Sequence, residues 1–389
     1  MTPLSVLDLA PIPAGGTARG AVHNTLDLAR RTEAAGYHRY WLAEHHLAPG
    51  VASSAPQILI AAVAAATSRI RVGSGAVQTG HWTPLSIVEQ FGTIDALYPG
   101  RIDVGLGRSG QRRAEAAAQV KEAARAGAPS PPPRDPAVVD GLLIPPPFDF
   151  AQLARSPAFA VHAALLQQPG AESPGFADVV DQIVALLEGT LRHEGREAHA
   201  NPGEGAELAL WILGSSGGES ARVAGERGLP FAANYHVSPS NVLDAVNAYR
   251  EAFVASKTLD EPYVVVSADV VVAPTDEEAR HLATPYGLWV RSIRSGLGAI
   301  PFPTPAQAAA HEWSPEDLDL VADRIETQFV GAPATVAAKL ETLRRVTGAD
   351  ELLVTTITHD HAHRVRSYEL LAEEWTRYPA AAQTALSTS

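Results

Sequence analysis

The chain has 389 residues, a formal net charge of −13 and no cysteine. The lack of cysteine excludes disulfides, thiolate metal sites and a cysteine nucleophile, and the acidic charge argues against a nucleic-acid partner. No apolar run approaches the roughly 20 residues that span a bilayer, and the first residues show no secretory signal, so we expect a cytoplasmic protein. An α/β barrel with an insertion can reach this length as one unit, and we predict a single domain over residues 1–389.

A strand followed by a helix repeats along the N-terminal part of the chain. Strands are predicted over Leu4–Leu9, Tyr37–Leu42, Ile70–Val72 and Arg101–Leu106, and helices over Ala21–Ala35, Pro56–Ala66 and Pro84–Leu97. Gly36 stands where a helix ends, and Pro84 suits a first helical turn. The repeat of about 30 residues is the length that a parallel strand-helix-strand unit requires.

The repeat is interrupted after Arg108. Prolines are dense in residues 129–136 and 145–147, which excludes a regular helix or a central strand there. We interpret residues 110–172 as an insertion after the fourth strand, with a charged, alanine-rich helix over residues 111–126. The insertion forms either a lid over the barrel or a surface loop.

The repeat resumes in the C-terminal half. Strands are predicted over Leu208–Leu213, Pro230–Ala233, Tyr263–Val272 and Glu351–Thr356, and helices over Phe176–Glu188, Glu219–Arg227, residues 239–256 and Pro333–Val346, with another helix opening at Thr275. Residues 284–327 are less regular. Eight strands in this alternation predict an α/β fold of the (β/α)8 TIM-barrel type, in which ligands bind at the carboxyl ends of the strands.

A turn of small residues follows the predicted strand at 208–213 and precedes the next helix. It contains Gly214, Ser215, Ser216, Gly217, Gly218 and Ser220. Freed backbone amides and the positive end of a helix can bind a phosphate there, although a flexible turn is the simpler interpretation. Arg108, at the end of another strand, favours the phosphate interpretation, because a guanidinium can donate two hydrogen bonds to a phosphate.

Histidines also follow the strands. His45 and His46 are adjacent, so in an extended chain their side chains point to opposite sides and only one can face a given ligand. Histidine at a barrel strand end is enriched for function, although most histidines are ordinary hydrogen-bonded groups. We predict His45 as catalytic, with Glu44 orienting or anchoring one imidazole, and we add His236 as a second candidate.

Aromatic and imidazole side chains near the same strand ends can line a substrate pocket. His81 and Trp82 follow the third strand, and Tyr235 follows the sixth. A separate possibility is a divalent metal site at His359, His361 and His363, because alternating residues of an extended segment share a face. No second cluster of carboxylates accompanies these histidines, so the metal interpretation stays an alternative.

Together these strand endings resemble the bacterial luciferase-like family of flavin-dependent monooxygenases, over residues 1–109 and 173–375. The motifs that carry the resemblance are residues 4–9, Glu44-His45-His46, Pro84-Leu85, Glu89-Gln90-Phe91, Pro99-Gly100-Arg101, Gly107-Arg108, Leu213-Gly214-Ser215-Ser216, Gly331-Ala332-Pro333 and residues 367–371. Each motif is modest, and their order and spacing together are specific.

The resemblance implies a TIM barrel, usually dimeric, that binds reduced FMN from a separate flavin reductase and uses O2 to form a flavin C4a-hydroperoxide. His45 then matches the active-site histidine, and Arg108 with the turn at Ser215–Ser220 matches the phosphate contacts. The stretch Ser74-Gly75-Ala76 lies beside the isoalloxazine, where relatives often hold a non-proline cis peptide. We add Asp8 to the expected cofactor-binding residues.

The sequence departs from the family in two places. Residues 110–172 are much longer than the corresponding segment of relatives, and Gly107 stands where luciferases have a cysteine, so light emission is not predicted. The leading hypothesis is a two-component FMN-dependent monooxygenase, and the alanine- and proline-rich composition associates it with the tailoring of secondary metabolites. Alternatives are a deazaflavin-dependent oxidoreductase of the same fold, a metal-dependent hydrolase, and a non-catalytic, flavin-binding partner subunit.

Overall fold

The computed structural model describes residues 1–108, 135–148, 161, 164–166 and 174–386. Its main sheet has ten strands. Eight of them form a closed parallel barrel, because the first strand pairs with the second and the eighth, and the fifth pairs with the fourth. Two short strands, Val77–Gln78 and Phe329–Gly331, pair in parallel with the fourth and the seventh barrel strands. The barrel strands are β1 Leu4–Asp8, β2 Arg39–Leu42, β3 Arg71–Ser74, β4 Ile102–Gly107, β5 Ala209–Gly214, β6 Phe231–Asn234, β7 Val264–Val272 and β8 Glu351–Thr355. The predicted TIM barrel and its eight strands in order are confirmed.

Helices surround the barrel. They are α1 Ala18–Ala34, α2 Pro56–Ala66, α3 Pro84–Leu97, α4 Phe176–Leu187, α5 Glu219–Glu226, α6 Val242–Ala252, α7 Asp276–Ala283, α8 Pro285–Arg294, α9 Pro305–Ala309, α10 Pro315–Glu326, α11 Pro333–Thr347 and α12 His361–Leu386. A 3₁₀ turn at Pro239–Asn241 precedes α6, where the sequence predicted one longer helix. Among the described residues, no helix combines the length and the apolar character that crossing a membrane requires.

Side chains alternate between two faces of the barrel strands, as the two-residue period of a strand dictates. Val6 and Leu42 pack in the outer core, between the barrel and the helices. Leu7, Trp41 and Leu353 belong to a second core inside the barrel. The directions of the strand side chains described below follow from this alternation.

Residues 284–327 form three helices, where the sequence indicated a less regular segment. Helix α8 packs against α10, and Trp289 and Phe302 belong to the interior core together with Ala43 and Ile357, which follow β2 and β8. This segment therefore covers the mouth of the barrel, the end at which the strands finish. We call residues 285–326 the cap.

Part of the insertion is described. An antiparallel hairpin, Ala137–Val139 with Leu142–Ile144, lies between the two proline-rich runs. Leu142 is buried in the outer core, and the hydroxyl of Tyr235 donates to the carbonyl oxygen of Leu143 at 2.7 Å. The hairpin is thus anchored to the outer side of the barrel. The helix predicted over residues 111–126 lies outside the described residues.

Candidate active site

Arg108 and the glycine-rich turn come together at the barrel mouth. Arg108 Nε donates to Ser220 Oγ at 3.0 Å, and Arg108 Nη1 donates to Glu219 Oε2 at 2.5 Å. Glu219 is the first residue of α5, and Gly218 caps that helix. The guanidinium is largely buried, with 10% of the side chain exposed. The structure thus joins the two features that the sequence placed on different strands.

The turn is built for close backbone approach. A Cβ on Gly217 would lie 2.9 Å from the carbonyl oxygen of Asp244 on α6, and a Cβ on Gly218 would lie 3.8 Å from Arg108 Nη2. Position 217 therefore requires glycine, because any side chain would collide with the backbone of α6. A guanidinium, the Ser220 hydroxyl and the N-terminal end of a helix form the donor set that a phosphate prefers. These residues fit a phosphate-bearing cofactor.

The end of β3 brings backbone rather than side chains to the barrel mouth. The peptide bond between Gly75 and Ala76 is cis, as the resemblance implied. A Cβ on Gly75 would lie 2.8 Å from Leu7 Cδ1, and a Cβ on Gly107 would lie 3.1 Å from the Cβ of Ala76. Gly75, Ala76 and Gly107 therefore form a low surface without long side chains.

Glu44 is a buried anchor for the residues around it. Its Oε1 accepts hydrogen bonds from His46 Nε2 at 2.7 Å and Trp82 Nε1 at 2.9 Å, and its Oε2 accepts one from the backbone N–H of Gln78 at 2.8 Å. The imidazole of His81 lies edge-on to His46, with ring centroids 5.5 Å apart. Glu44 thus orients His46 rather than His45, and it acts as a positioning residue.

His45 and His236 follow β2 and β6 and influence each other electrostatically. His236 Nδ1 shares a hydrogen bond of 2.5 Å with Ser267 Oγ. Burial and, to a smaller extent, the positive charges of Arg324 and His45 together lower the pKa of His236 to about 3. His236 is therefore uncharged near neutral pH. Both histidines lie at the barrel mouth, because each closely follows the carboxyl end of a barrel strand.

The sequence analysis missed a buried cluster of Asp269, Tyr286 and Arg324. Arg324 Nη2 donates to Asp269 Oδ2 at 3.2 Å and contacts the Tyr286 hydroxyl at 2.5 Å, and that hydroxyl also donates to Asp269. Burial raises the pKa of Asp269, and the charge of Arg324 opposes that rise. Ser267 and Asp269 are polar residues two apart within the otherwise apolar strand β7, which is a signal that the sequence contained.

Asp8 does not face the barrel mouth, contrary to the expectation that it binds the cofactor. Its side chain points to the outer layer, like that of Val6. Arg364 Nη2 donates to Oδ1 at 2.6 Å, while the hydroxyls of Tyr40 and Thr25 donate to Oδ2 at 2.5 and 2.7 Å. Burial alone would raise the pKa of Asp8, but Arg364 and these hydroxyls hold it below its usual value. Asp8 therefore joins β1 to α1 and α12.

Three further residues that were predicted to contact the cofactor or to line the substrate pocket make other contacts in the structure. Ser74 Oγ bridges β3 and β4, since it accepts from the N–H of Gly105 at 2.9 Å and donates to its carbonyl oxygen at 3.0 Å. Tyr235 is buried in the outer core against the insertion hairpin, so its ring does not line the barrel interior. Trp82 also packs against the outer core and reaches the site only through Glu44.

Two of the histidines that follow β8 contact different parts of the chain. His359 Nε2 contacts the carbonyl oxygen of Ala14 at 3.0 Å, and His361 Nε2 contacts Asp27 Oδ2 at 2.9 Å at the start of α12. In the part of the chain that the structure describes, no group of three or more His, Asp or Glu side chains could hold a metal ion. The geometry gives no support to the metal-dependent hydrolase.

Comparisons with known proteins agree with this geometry. The family model for the luciferase-like monooxygenases matches residues 2–129 and 154–351. The chain is 39% identical to the uncharacterized protein YvbT of Bacillus subtilis over 96% of this chain and 97% of that protein. It is 35% identical to a luciferase-like monooxygenase of Escherichia coli, over 94% and 95% of the two chains.

Solved structures share the fold. Apo-MsnO8 superposes with a TM-score of 0.76 at 32% identity and covers 97% of this chain and 99% of its own. More distant structures, at 19% identity or less, show the fold alone. They include a 3,6-diketocamphane monooxygenase component in complex with FMN and an F420-dependent secondary alcohol dehydrogenase.

Proposed function

The chain belongs to the luciferase-like monooxygenase family, and on that premise we propose that it is the oxygenating component of a two-component, FMN-dependent system. In this proposal a separate flavin reductase supplies reduced FMN, O2 is the second substrate, and the protein acts as a homodimer. The acceptor is an organic small molecule, such as an intermediate of secondary metabolism. The observation that carries the proposal is the contact of Arg108 with Glu219 and Ser220, the first two residues of α5.

The Arg108 cradle would hold the FMN phosphate. Arg108 is positioned by Ser220 and Glu219, and the N–H groups at the start of α5 add the positive end of a helix dipole. The low surface of Gly75, Ala76 and Gly107 supports this assignment, because a planar ring can lie on backbone only where side chains are absent. Reduced FMN, when bound, supplies the electrons that activate O2.

His45 and His236 are the residues that would handle protons. His236 is kept uncharged by its surroundings, and Ser267 fixes its ring. His45 follows β2, on the opposite side of the mouth from β6, and the resemblance matches it to the catalytic histidine of the family. The cap contributes Trp289 and Phe302 to the interior core at this mouth, and both imidazoles remain partly exposed.

Flavin binding tests the phosphate assignment. Arg108→Gln should weaken FMN by about 10- to 100-fold, because charge-assisted hydrogen bonds to a largely buried guanidinium are lost. Riboflavin, which lacks the phosphate, should bind the wild type and this variant equally. Arg222→Gln is the matched control, since Arg222 lies on the same helix but is exposed and paired with Glu226. An equal loss for both flavins, or no loss, would contradict the assignment.

Reaction with O2 tests the activity. The protein is mixed anaerobically with reduced FMN, O2 is added in a stopped-flow instrument, and the absorbance of oxidised FMN is followed. Slower return of that absorbance than for free FMN supports the monooxygenase. Binding with a return at the free rate indicates a non-catalytic partner subunit, and tight binding of reduced F420 in place of FMN indicates the deazaflavin-dependent alternative.

A further inference from the structure

A cleft with a volume of about 620 Å³ opens at the end of the barrel opposite the mouth. It is bounded by residues at the amino ends of three strands: Arg39 begins β2, Ala209 begins β5, and Tyr263 directly precedes β7. Because β5 runs from Ala209 to Gly214, the cleft lies roughly 16 Å from the glycine-rich turn that follows β5. The cleft is therefore separate from the proposed flavin site.

Arg39, Trp211 and Tyr263 form the floor of the cleft. Arg39 Cζ lies 4.5 Å from the centroid of the Trp211 ring, and the Trp211 ring lies edge-on to Tyr263 at 5.7 Å. Arg39 Nε donates to Glu351 at 3.1 Å, and Nη1 donates to Asp103 at 2.8 Å. Arg39 Nη2 makes no hydrogen bond within the described residues, and it is not among the unpartnered atoms that solvent cannot reach. Nη2 is therefore a donor that a ligand in the cleft can contact, on a side chain that is only 10% exposed.

The walls of the cleft are apolar. Val184 and Leu187 come from α4, Leu208 directly precedes β5, and Leu259 lies between α6 and β7. Each of these side chains is partly exposed, so a molecule bound between them would remove apolar surface from water. Small-molecule sites usually combine such walls with a few polar groups, in volumes of about 300–1,000 Å³. The cleft has both the size and the composition of such a site.

The charges at this end of the barrel are balanced. Arg39 and Arg71 pair with the carboxylates of Asp103 and Glu351. The ion pairs at the rim of the cleft are Arg227 with Asp181 and Lys257 with Glu188. A charged ligand group on the floor would therefore be buried without compensation, which is unfavourable. An uncharged oxygen can accept a hydrogen bond from Arg39 without disturbing this balance.

We propose that this cleft is a second small-molecule site, which takes an uncharged, mainly apolar molecule with an oxygen acceptor, as an aliphatic alcohol has. Arg39 Nη2 donates to the oxygen, and the apolar part of the ligand packs on Trp211, Tyr263 and the walls. The proposal goes beyond the proposed function and does not depend on it, because no group at the barrel mouth takes part.

Photolabelling can locate the ligand directly. The probe is an analogue of 1-octanol that carries a photoreactive diazirine, irradiated with the full chain and mapped by peptide mass spectrometry. We expect labels within residues 181–188, 206–211 or 256–263, which line the cleft. An excess of 1-octanol should suppress these labels, and octanoate should need about tenfold more to do so. FMN should not suppress them.

Two variants test the floor and the volume separately. Arg39→Lys keeps the charge and removes Nη2, so it should weaken 1-octanol about tenfold, as loss of one hydrogen bond predicts. Ala206→Trp fills the cleft from a partly exposed position in its lining and should weaken 1-octanol by at least tenfold. Ala338→Trp is the matched control, because Ala338 is exposed on α11 and does not line the cleft. Ala206→Trp and Ala338→Trp should keep the Tm and the FMN dissociation constant of the wild type.

Several results would overturn the proposal. These are labels confined to the cap or to the residues that follow the strands, suppression by octanoate as effective as by 1-octanol, suppression by FMN, or unchanged 1-octanol affinity in either folded variant. Ala206→Trp keeps the test decisive if Arg39→Lys fails to fold, since it alters no ion pair. None of these measurements needs FMN reduction or O2, so a failure here is distinct from a failure of the flavin-binding and O2 experiments.

Discussion

Glu219→Gln should tighten FMN binding and leave riboflavin binding unchanged. The Glu219 carboxylate lies 2.5 Å from Arg108 Nη1, at the position that a phosphate oxygen would take in the proposed cradle. A phosphate carries about −1.5 to −2 charges at neutral pH, so FMN must bind against the charge of Glu219. Glutamine keeps the size of the side chain and an oxygen acceptor for Arg108, but it removes the charge.

The magnitude follows from the separation and the exposure. Two unit charges about 4 Å apart repel by about 4 kcal/mol at an effective dielectric constant of about 20. Glu219 is 30% exposed along its side chain, so solvent screens part of this repulsion and the carboxylate can turn away. We therefore expect a net gain of about 1.4 kcal/mol, which is about tenfold in the dissociation constant.

Flavin fluorescence quenching at two ionic strengths is the assay. The gain for FMN should shrink as salt rises, because screening reduces repulsion between partly exposed charges. Weaker FMN binding in Glu219→Gln would refute the reasoning and show that the positioning of Arg108 by Glu219 outweighs the charge repulsion. An equal gain for riboflavin would show that the carboxylate acts on the ring and not on the phosphate.

Three other variants test the remaining assignments. His45→Ala should leave the FMN dissociation constant within about threefold and abolish the slowed reoxidation of FMN; a large loss of FMN affinity would place His45 in cofactor binding. Asp8→Asn should destabilise the fold by about 3–5 kcal/mol in urea denaturation at pH 7, because Arg364 loses its buried partner. The pKa of Asp8 is lowered in the folded state, so this stabilisation is present above pH 4 and is lost as pH falls. The difference in the free energy of unfolding between Asp8→Asn and the wild type should therefore become smaller in acid. The pKa of His236 is about 3 in the folded state and about 6.5 unfolded, so stability should fall from pH 6.5 downwards, and His236→Gln should flatten that fall.

The barrel could be predicted because its signals are local. Each strand is a short apolar run, and each ends in glycine, serine or an ionisable residue, so the strand ends that carry Arg108 and Gly214 were placed at one rim. The cap could not be predicted in the same way. Residues 284–327 were predicted to be less regular, but Pro285, Pro305 and Pro315 each stand in the first turn of a helix, where proline loses no hydrogen bond.

Side-chain direction was the second limit of the sequence. Strand β1 is apolar on both faces, so nothing in residues 4–8 shows whether Asp8 points inward or outward. A shift of one residue changes the face of every side chain. The adjacent histidines gave a clearer signal, because strand alternation allows only one of the two to face a given ligand. In the structure, His46 bonds to Glu44, and His45 is close enough to His236 to lower its pKa.

The two ends of the barrel interior differ in a way that supports a ligand site at the mouth. At the opposite end, Arg39 donates to Glu351 at 3.1 Å and to Asp103 at 2.8 Å, and none of these three has a buried atom without a partner among the described residues. The indole N–H of Trp211 is unpartnered there, but it is uncharged. Under the cap, a charged guanidinium, that of Arg324, has an unpartnered buried N–H. Because charged donors are the costliest to leave unpaired, this contrast makes the mouth end the less fully satisfied end of the barrel interior among the described residues.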